Sequence, residues 1–273
     1  MVTSAPLGRL IHYKPFSSAL ITPRPVDVWL PPDYSPKNRY PVLYMHDGQN
    51  LFESATAYGG IDWGVIDAAL RLMATDEIAP LIIVGIWNTP ERRREYMPAA
   101  PLQRPENAPL LAQFSQEFGG PPTSDAYLRF IIEELKPFID QTYATHPEQR
   151  HTAIMGSSMG GLISLYALLR YPQVFGGAGC VSTHWTIGKE ALVDAMAALL
   201  PPPGNHRLYF DFGTETLDAD YEPYQQRMDA HLLQAGYVQN QDCLTLKFEG
   251  AEHSERAWRA RVHLPLRFLF GKR

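Results

Sequence analysis

Short, unbroken apolar runs alternate along this chain with longer amphipathic ones, and few architectures accommodate that rhythm. The runs at 41–46, 81–86, 151–155, 177–181, 207–212 and 244–248 read as strands. Most of the later ones show no polar alternation, as expected of strands covered on both faces. Two earlier strands precede them: 10–13, opening a longer extended stretch, and 26–30, stopped by Pro31 and Pro32, which cannot donate to a ladder. Helices are expected over 125–143, 159–170, 189–200, 220–235 and 254–270, the last interrupted or ended near Pro265. In the first of these, Tyr127, Phe130, Ile131, Leu135 and Ile139 recur every three to four residues and form one apolar stripe. The pattern predicts an α/β fold: one domain with a mostly parallel sheet of eight strands and helices on both faces. A chain of 273 residues is long enough for one such core.

One segment breaks the rhythm. Residues 88–123 hold Pro90, Pro98, Pro101, Pro105, Pro109, Pro121 and Pro122 and read as a long irregular loop. A loop of that length is either a flap over a pocket or a plain surface excursion. The basic triplet Arg92, Arg93 and Arg94 inside it, flanked by Glu91 and Glu95, reads as solvated.

A net charge of -5 disfavours nucleic acid as a partner. No run is long and apolar enough for a membrane span. The first eight residues lack a charged region followed by an apolar stretch, so no leader is expected and a cytoplasmic location is. The two cysteines, Cys180 and Cys243, both fall in buried strands and are expected to be free thiols. The oligomeric state is left open.

The chemistry concentrates at Gly156-Ser157-Ser158-Met159-Gly160-Gly161. This G-x-S-x-G is expected by chance on the order of 0.06 times in a chain of this composition, but it also falls between a predicted strand and a predicted helix. A serine on such a tight turn needs residues two before and two after it that are nearly free of side chain. Ser158 satisfies that; Ser157 does not and reads as structural. A serine hydroxyl needs a base, and the base needs a group to orient it, here in the chain order serine, acid, histidine. The loop after the strand at 207–212 offers Glu215 and Asp218, and the loop after the last strand offers His253. Asp218 is preferred as the acid, with Glu215 in reserve, since either could simply favour a helix start.

The other histidines fit the base role poorly. His151, His146 and His206 lie at the strand-start edge, His231 and His263 within helices, and His12 in the N-terminal strands. His46 and His184 lie at strand ends and are expected to line the pocket. An oxyanion needs two N–H donors. Met159, the residue after the nucleophile, supplies one; the turn His46-Asp47-Gly48-Gln49, sharpened by Gly48, points the N–H of Gln49 into the site as the other.

With these residues in hand, the chain resembles the Putative esterase family, the esterase D group of α/β-hydrolases. That group includes feruloyl and acetyl xylan esterases, enterobactin esterases and mycolyltransferases. The resemblance runs from Val42-Leu43-Tyr44-Met45-His46-Asp47-Gly48-Gln49 through Ile82-Ile83-Val84-Gly85-Ile86 and Tyr171-Pro172-Gln173-Val174-Phe175-Gly176 to His253. It implies the α/β-hydrolase fold, a triad of Ser158, Asp218 and His253, and oxyanion donors at Gln49 and Met159. One departure matters: many relatives carry the acid at the position occupied here by Thr216, whereas Leu217-Asp218-Ala219 followed by Tyr221 resembles a subgroup in which the aspartate serves. The resemblance also points to Trp185, in Ser182-Thr183-His184-Trp185, as a pocket residue, although a tryptophan there could equally cap the core; Asp47, next to His46, is expected in the pocket as well.

The expected reaction is serine-dependent hydrolysis of a small or medium carboxylic ester through an acyl-enzyme. The alternatives are an acyltransferase with the same triad and a non-catalytic binding module on the same fold. No H-E-x-x-H, cysteine-histidine cluster or phosphate-binding glycine motif is present, so no metal or cofactor is expected.

Overall fold

The computed structural model describes residues 7–272, so most of the N-terminal stretch read above for a leader lies outside them. Eight strands, β1 Arg9–Phe16, β2 Arg24–Leu30, β3 Val42–His46, β4 Ile82–Ile86, β5 Thr152–Ser157, β6 Gly177–Val181, β7 Arg207–Gly213 and β8 Cys243–Phe248, form one sheet. Their order is β1-β2-β4-β3-β5-β6-β7-β8. β2 runs antiparallel to β1 and β4, and every other pair is parallel. The chain has the mostly parallel, eight-stranded α/β-hydrolase architecture that its apolar rhythm predicts.

Eleven α-helical stretches are described: α1 Val65–Ala74, α2 Arg92–Tyr96, α3 Ala99–Leu102, α4 Ala108–Glu117, α5 Ser124–Arg129, α6 Lys136–Thr142, α7 Met159–Arg170, α8 Lys189–Ala197, α9 Glu222–Gln234, α10 Glu255–Arg261 and α11 His263–Phe270. The pleat explains the unbroken apolar runs. In β3, Val42 and Tyr44 face one core with helices α2–α9, while Leu43 and Met45 face a second with α1, α10 and α11. All five residues of β3 and of β4 are buried. At about 1.5–3 kcal/mol for each buried aliphatic side chain, these two strands anchor the sheet.

Three expectations need revision. The segment 88–123 carries α2, α3, α4 and a short 3-10 turn at Pro105–Asn107, and it buries Tyr96, Met97, Leu102 and Phe114. Its prolines are compatible because Pro105 and Pro109 occupy first-turn positions, where no intrahelical N–H is required. The helix over 125–143 is continuous but widens to a π-helix at Phe130–Leu135, just before Pro137, whose missing N–H disturbs the regular ladder. The last helix breaks at Val262, and Pro265 sits harmlessly in the first turn of α11. Cys180 and Cys243 are buried free thiols. Among the described residues no helix is long and apolar enough to cross a membrane.

Candidate active site

Parallel strands deliver their following loops to one edge of the sheet, and five such loops meet there, the one after β6 carrying Ser182 and His184. The first is the turn from β5 into α7. Ser158 holds φ 58 and ψ -121, strained for a side-chain-bearing residue. Four bonds fix the strain: Ser158 N–H donates to Val181 O (2.9 Å), and Ser158 O accepts from the N–H groups of Gly161 (3.0 Å), Leu162 (3.3 Å) and His184 (3.2 Å). A Cβ on Gly156 would come within 2.9 Å of the Gly160 backbone, whereas one on Gly160 would make ordinary contact with Asp47 and His46 at 3.5 and 3.6 Å. The steric demand of the motif therefore falls on Gly156.

The loops after β7 and β8 are stitched together. Ala251 O accepts from the N–H groups of Thr214 and Glu215, both at 3.0 Å, and the hydroxyl of Thr214 accepts from Gly250 N–H (2.8 Å). The hydroxyl of Thr216 accepts from His253 N–H (2.8 Å). This brings His253 Nδ1 to 2.6 Å from Asp218 Oδ1. The other carboxylate oxygen, Asp218 Oδ2, accepts from Ser182 Oγ and from Gly213 N–H, each at 2.6 Å. Burial pushes the Asp218 carboxyl up, but these bonds outweigh it and leave the pKa below the ordinary value. Glu215 is exposed and far less committed, so of the two acids considered it is Asp218 that meets His253.

Around this pair lies a shell that sequence reasoning missed. Ser182 accepts from Trp258 Nε1 (3.0 Å) and Arg261 Nη2 (2.8 Å), and Arg261 also binds Asp211 at 3.0 Å. Trp258 and Tyr221 set their rings edge-on to His253 at 5.0 and 5.8 Å. Tyr221 Oη bonds His184 Nδ1 at 2.6 Å and interacts with the Ser158 hydroxyl. Burial lowers the His184 pKa to about 4, so this ring is neutral near pH 7.

The fourth loop follows β3. Asp47 adopts left-handed φ 57, and Gly48 packs so close to β4 that a Cβ there would lie 2.6 Å from Gly85 C. The backbone N–H groups of Gln49 and Met159 have no acceptor among the described residues. Three neighbours expected at the pocket have little or no open surface. His46 is buried, its Nδ1 on Tyr127 Oη (2.8 Å), and desolvation lowers its pKa to about 3. Asp47 is buried under Arg92, which binds both carboxylate oxygens at 2.7 Å, and under Asn88 Nδ2 at 2.6 Å. Trp185 is fully buried with Nε1 on Gln225 Oε1 (3.0 Å), a core residue. Of the four, His184 is the one that keeps part of its surface open, its N–H on Ser158 O. Arg92, read as solvated, instead clamps Asp47 in the turn after β3. His146 and His151 line a cleft of about 660 Å³ at the opposite sheet edge.

Comparison with known proteins bears on the family and the fold. The family model described as "Putative esterase" matches residues 17–267. The chain belongs to that family. Membership makes it an ester hydrolase, and its relatives fit that reading. It is 26% identical over 253 residues to the uncharacterized protein YbbA of Bacillus subtilis, covering 90% of this chain and 92% of the relative. It is 32% identical over 163 residues to the ferri-bacillibactin esterase BesA of the same organism, 55% of this chain and 50% of that one. Among solved structures, an IroE-like serine hydrolase from Shewanella oneidensis superposes with TM-score 0.74 at 18% identity, covering 96% of this chain and 80% of that one. A ferulic acid esterase superposes with TM-score 0.68 at 19% identity, covering 96% and 98%. At these identities the structural likeness speaks to the fold.

Proposed function

We propose that this esterase hydrolyses small or medium carboxylic esters through an acyl-enzyme on Ser158. His253 takes the serine proton during attack and returns it to the leaving alcohol; water then enters with His253 again as base. Asp218 fixes the imidazole tautomer and stabilises the imidazolium that forms. The N–H groups of Gln49 and Met159 receive the oxyanion.

The observation that carries this reading is the 2.6 Å bond between His253 and the fully hydrogen-bonded, buried Asp218, at the sheet edge where Ser158 is held strained. A surface histidine-carboxylate pair would have no reason to bury its acid and saturate both oxygens. The test is labelling with a fluorophosphonate and hydrolysis of short 4-nitrophenyl esters, with Ser158→Ala as the control. Wild type is expected to label and turn over, and the variant to lose label and at least 10³-fold in kcat. A wild-type protein that neither labels nor hydrolyses any ester overturns the proposal.

A further inference from the structure

Ser182 is buried on the loop after β6 with a backbone φ of 43, a left-handed value that costs a serine energy and a glycine almost none. Its N–H is held by Asp211, on the carbonyl at 2.9 Å and on Oδ1 at 3.3 Å. What serine brings to this turn and glycine lacks is the hydroxyl.

A serine hydroxyl has one proton to give and two lone pairs that can accept. Trp258 Nε1, at 3.0 Å, and Arg261 Nη2, at 2.8 Å, can only donate, and together they fill both lone pairs. The proton is then left with one acceptor among the described residues, Asp218 Oδ2 at 2.6 Å. Gly213 N–H reaches the same oxygen at 2.6 Å. With two donors aimed at it, Oδ2 has no place for a proton of its own, and the plane of the carboxylate is fixed. The other oxygen lies 2.6 Å from His253 Nδ1 and accepts from it, which leaves Nε2 as the basic nitrogen.

The two donors are themselves secured. Trp258 and Arg261 lie three residues apart on α10 and so share one of its faces. Arg261 Nη2 also donates to Asp211 Oδ1 at 3.0 Å, and the other oxygen of Asp211 accepts from Tyr209 Oη at 2.8 Å. Ser182, Asp211, Asp218, Trp258 and Arg261 are each at most 5% exposed. At that depth a donor turned away from its acceptor loses its bond without gaining one to water, so the direction of each bond is strongly held.

Resting on the proposed esterase reading, we infer that Ser182 is a positioning residue of the reaction. Its hydroxyl proton, directed by Trp258 and Arg261, holds Asp218 as the ionised and oriented acceptor that sets the His253 tautomer. Ser182 is buried away from substrate and acts through Asp218.

Ser182→Ala and Ser182→Gly both delete the hydroxyl, but glycine also relieves the left-handed backbone. The glycine variant is therefore expected to melt above the alanine one. Both should nevertheless lose about tenfold or more in kcat on a 4-nitrophenyl ester, with KM within about twofold of wild type. A glycine variant with wild-type kcat, or losses that fall on KM, overturn the inference. Trp258→Phe keeps a ring beside His253 and removes one donor to Ser182. It should cost about threefold in kcat alone and nothing further in the Ser182→Ala background, because that N–H acts through the hydroxyl. Losses that multiply instead would make Trp258 act on His253 directly and break the chain of bonds. Fluorophosphonate labelling keeps the two levels apart. A wild type that labels and turns over, with Ser182 variants indistinguishable from it, refutes this role and leaves the esterase intact; a wild type that does neither strikes the reading beneath it.

Discussion

At the scale of single residues, the proposed reaction turns most on its acid. Asp218 gives one oxygen to His253 and the other to Ser182 and Gly213, whereas Glu215 is exposed on the same loop. Asp218→Asn keeps the shape but offers an N–H where His253 Nδ1 needs an acceptor, so kcat should fall by about 10³- to 10⁴-fold. Glu215→Gln should change it by less than about twofold. Steady-state rates on one 4-nitrophenyl ester check both, and a crippling effect confined to Glu215→Gln reverses the assignment. Ser158, Asp218 and His253 could be named as candidates from the sequence because each follows a strand and their order is constrained. Ser182, Trp258 and Arg261 were not, because they converge on Asp218 from three loops and helices whose spacing in the chain says nothing about their approach. The burial of His46 and Asp47 was hidden for a related reason: a strand end places a residue near the site without stating which way its side chain turns.

Among the elements, the junction between the loops after β7 and β8 governs whether acid and base meet. Gly213 ends β7, and a Cβ there would fall 2.1 Å from Ala251 O, the carbonyl that accepts from both Thr214 and Glu215. Gly213→Ala must therefore push away the loop that carries His253. The expected result is a loss of about 1–3 kcal/mol in urea unfolding, typical of an overpacked site, with at least a tenfold fall in kcat. Unchanged kcat would show that the loop reaches His253 geometry without that contact. Apart from the far end of β1, the strands were read to within a residue or two because apolar runs between two covering layers leave little freedom in register. Helix α1 was passed over: its Val65, Ala68, Ala69 and Leu72 stripe is short and lies in a stretch without a capping side chain. The segment 88–123 was taken for a loop because prolines at first-turn helix positions look, in sequence alone, the same as prolines that break helices.

Over the whole molecule, the site and the stability of the fold respond to the same protons. His46 lies buried at the end of β3 with its Nε2 unpartnered among the described residues, and His184 lies half-buried over Ser158. Their folded pKa values, about 3 and about 4, stand below the ordinary histidine value of 6.5. The sign follows directly. Both rings are neutral in the folded and unfolded chains above pH 6.5, so their full contribution is present there. As pH falls below 6.5 the unfolded chain takes up protons that the folded one refuses, and stability is lost at up to about 1.4 kcal/mol per pH unit for each ring. The loss from His184 levels off near pH 4 and that from His46 near pH 3. Urea midpoints are therefore expected to decline from pH 6.5 toward pH 4. His46→Gln, which keeps a hydrogen-bonding group for Tyr127 and removes the titration, should make that decline shallower even if it lowers the midpoint at pH 7. A decline that begins only below pH 4, in the carboxylate range of Asp47 and Asp218, would mean that the buried histidines find solvent before they protonate.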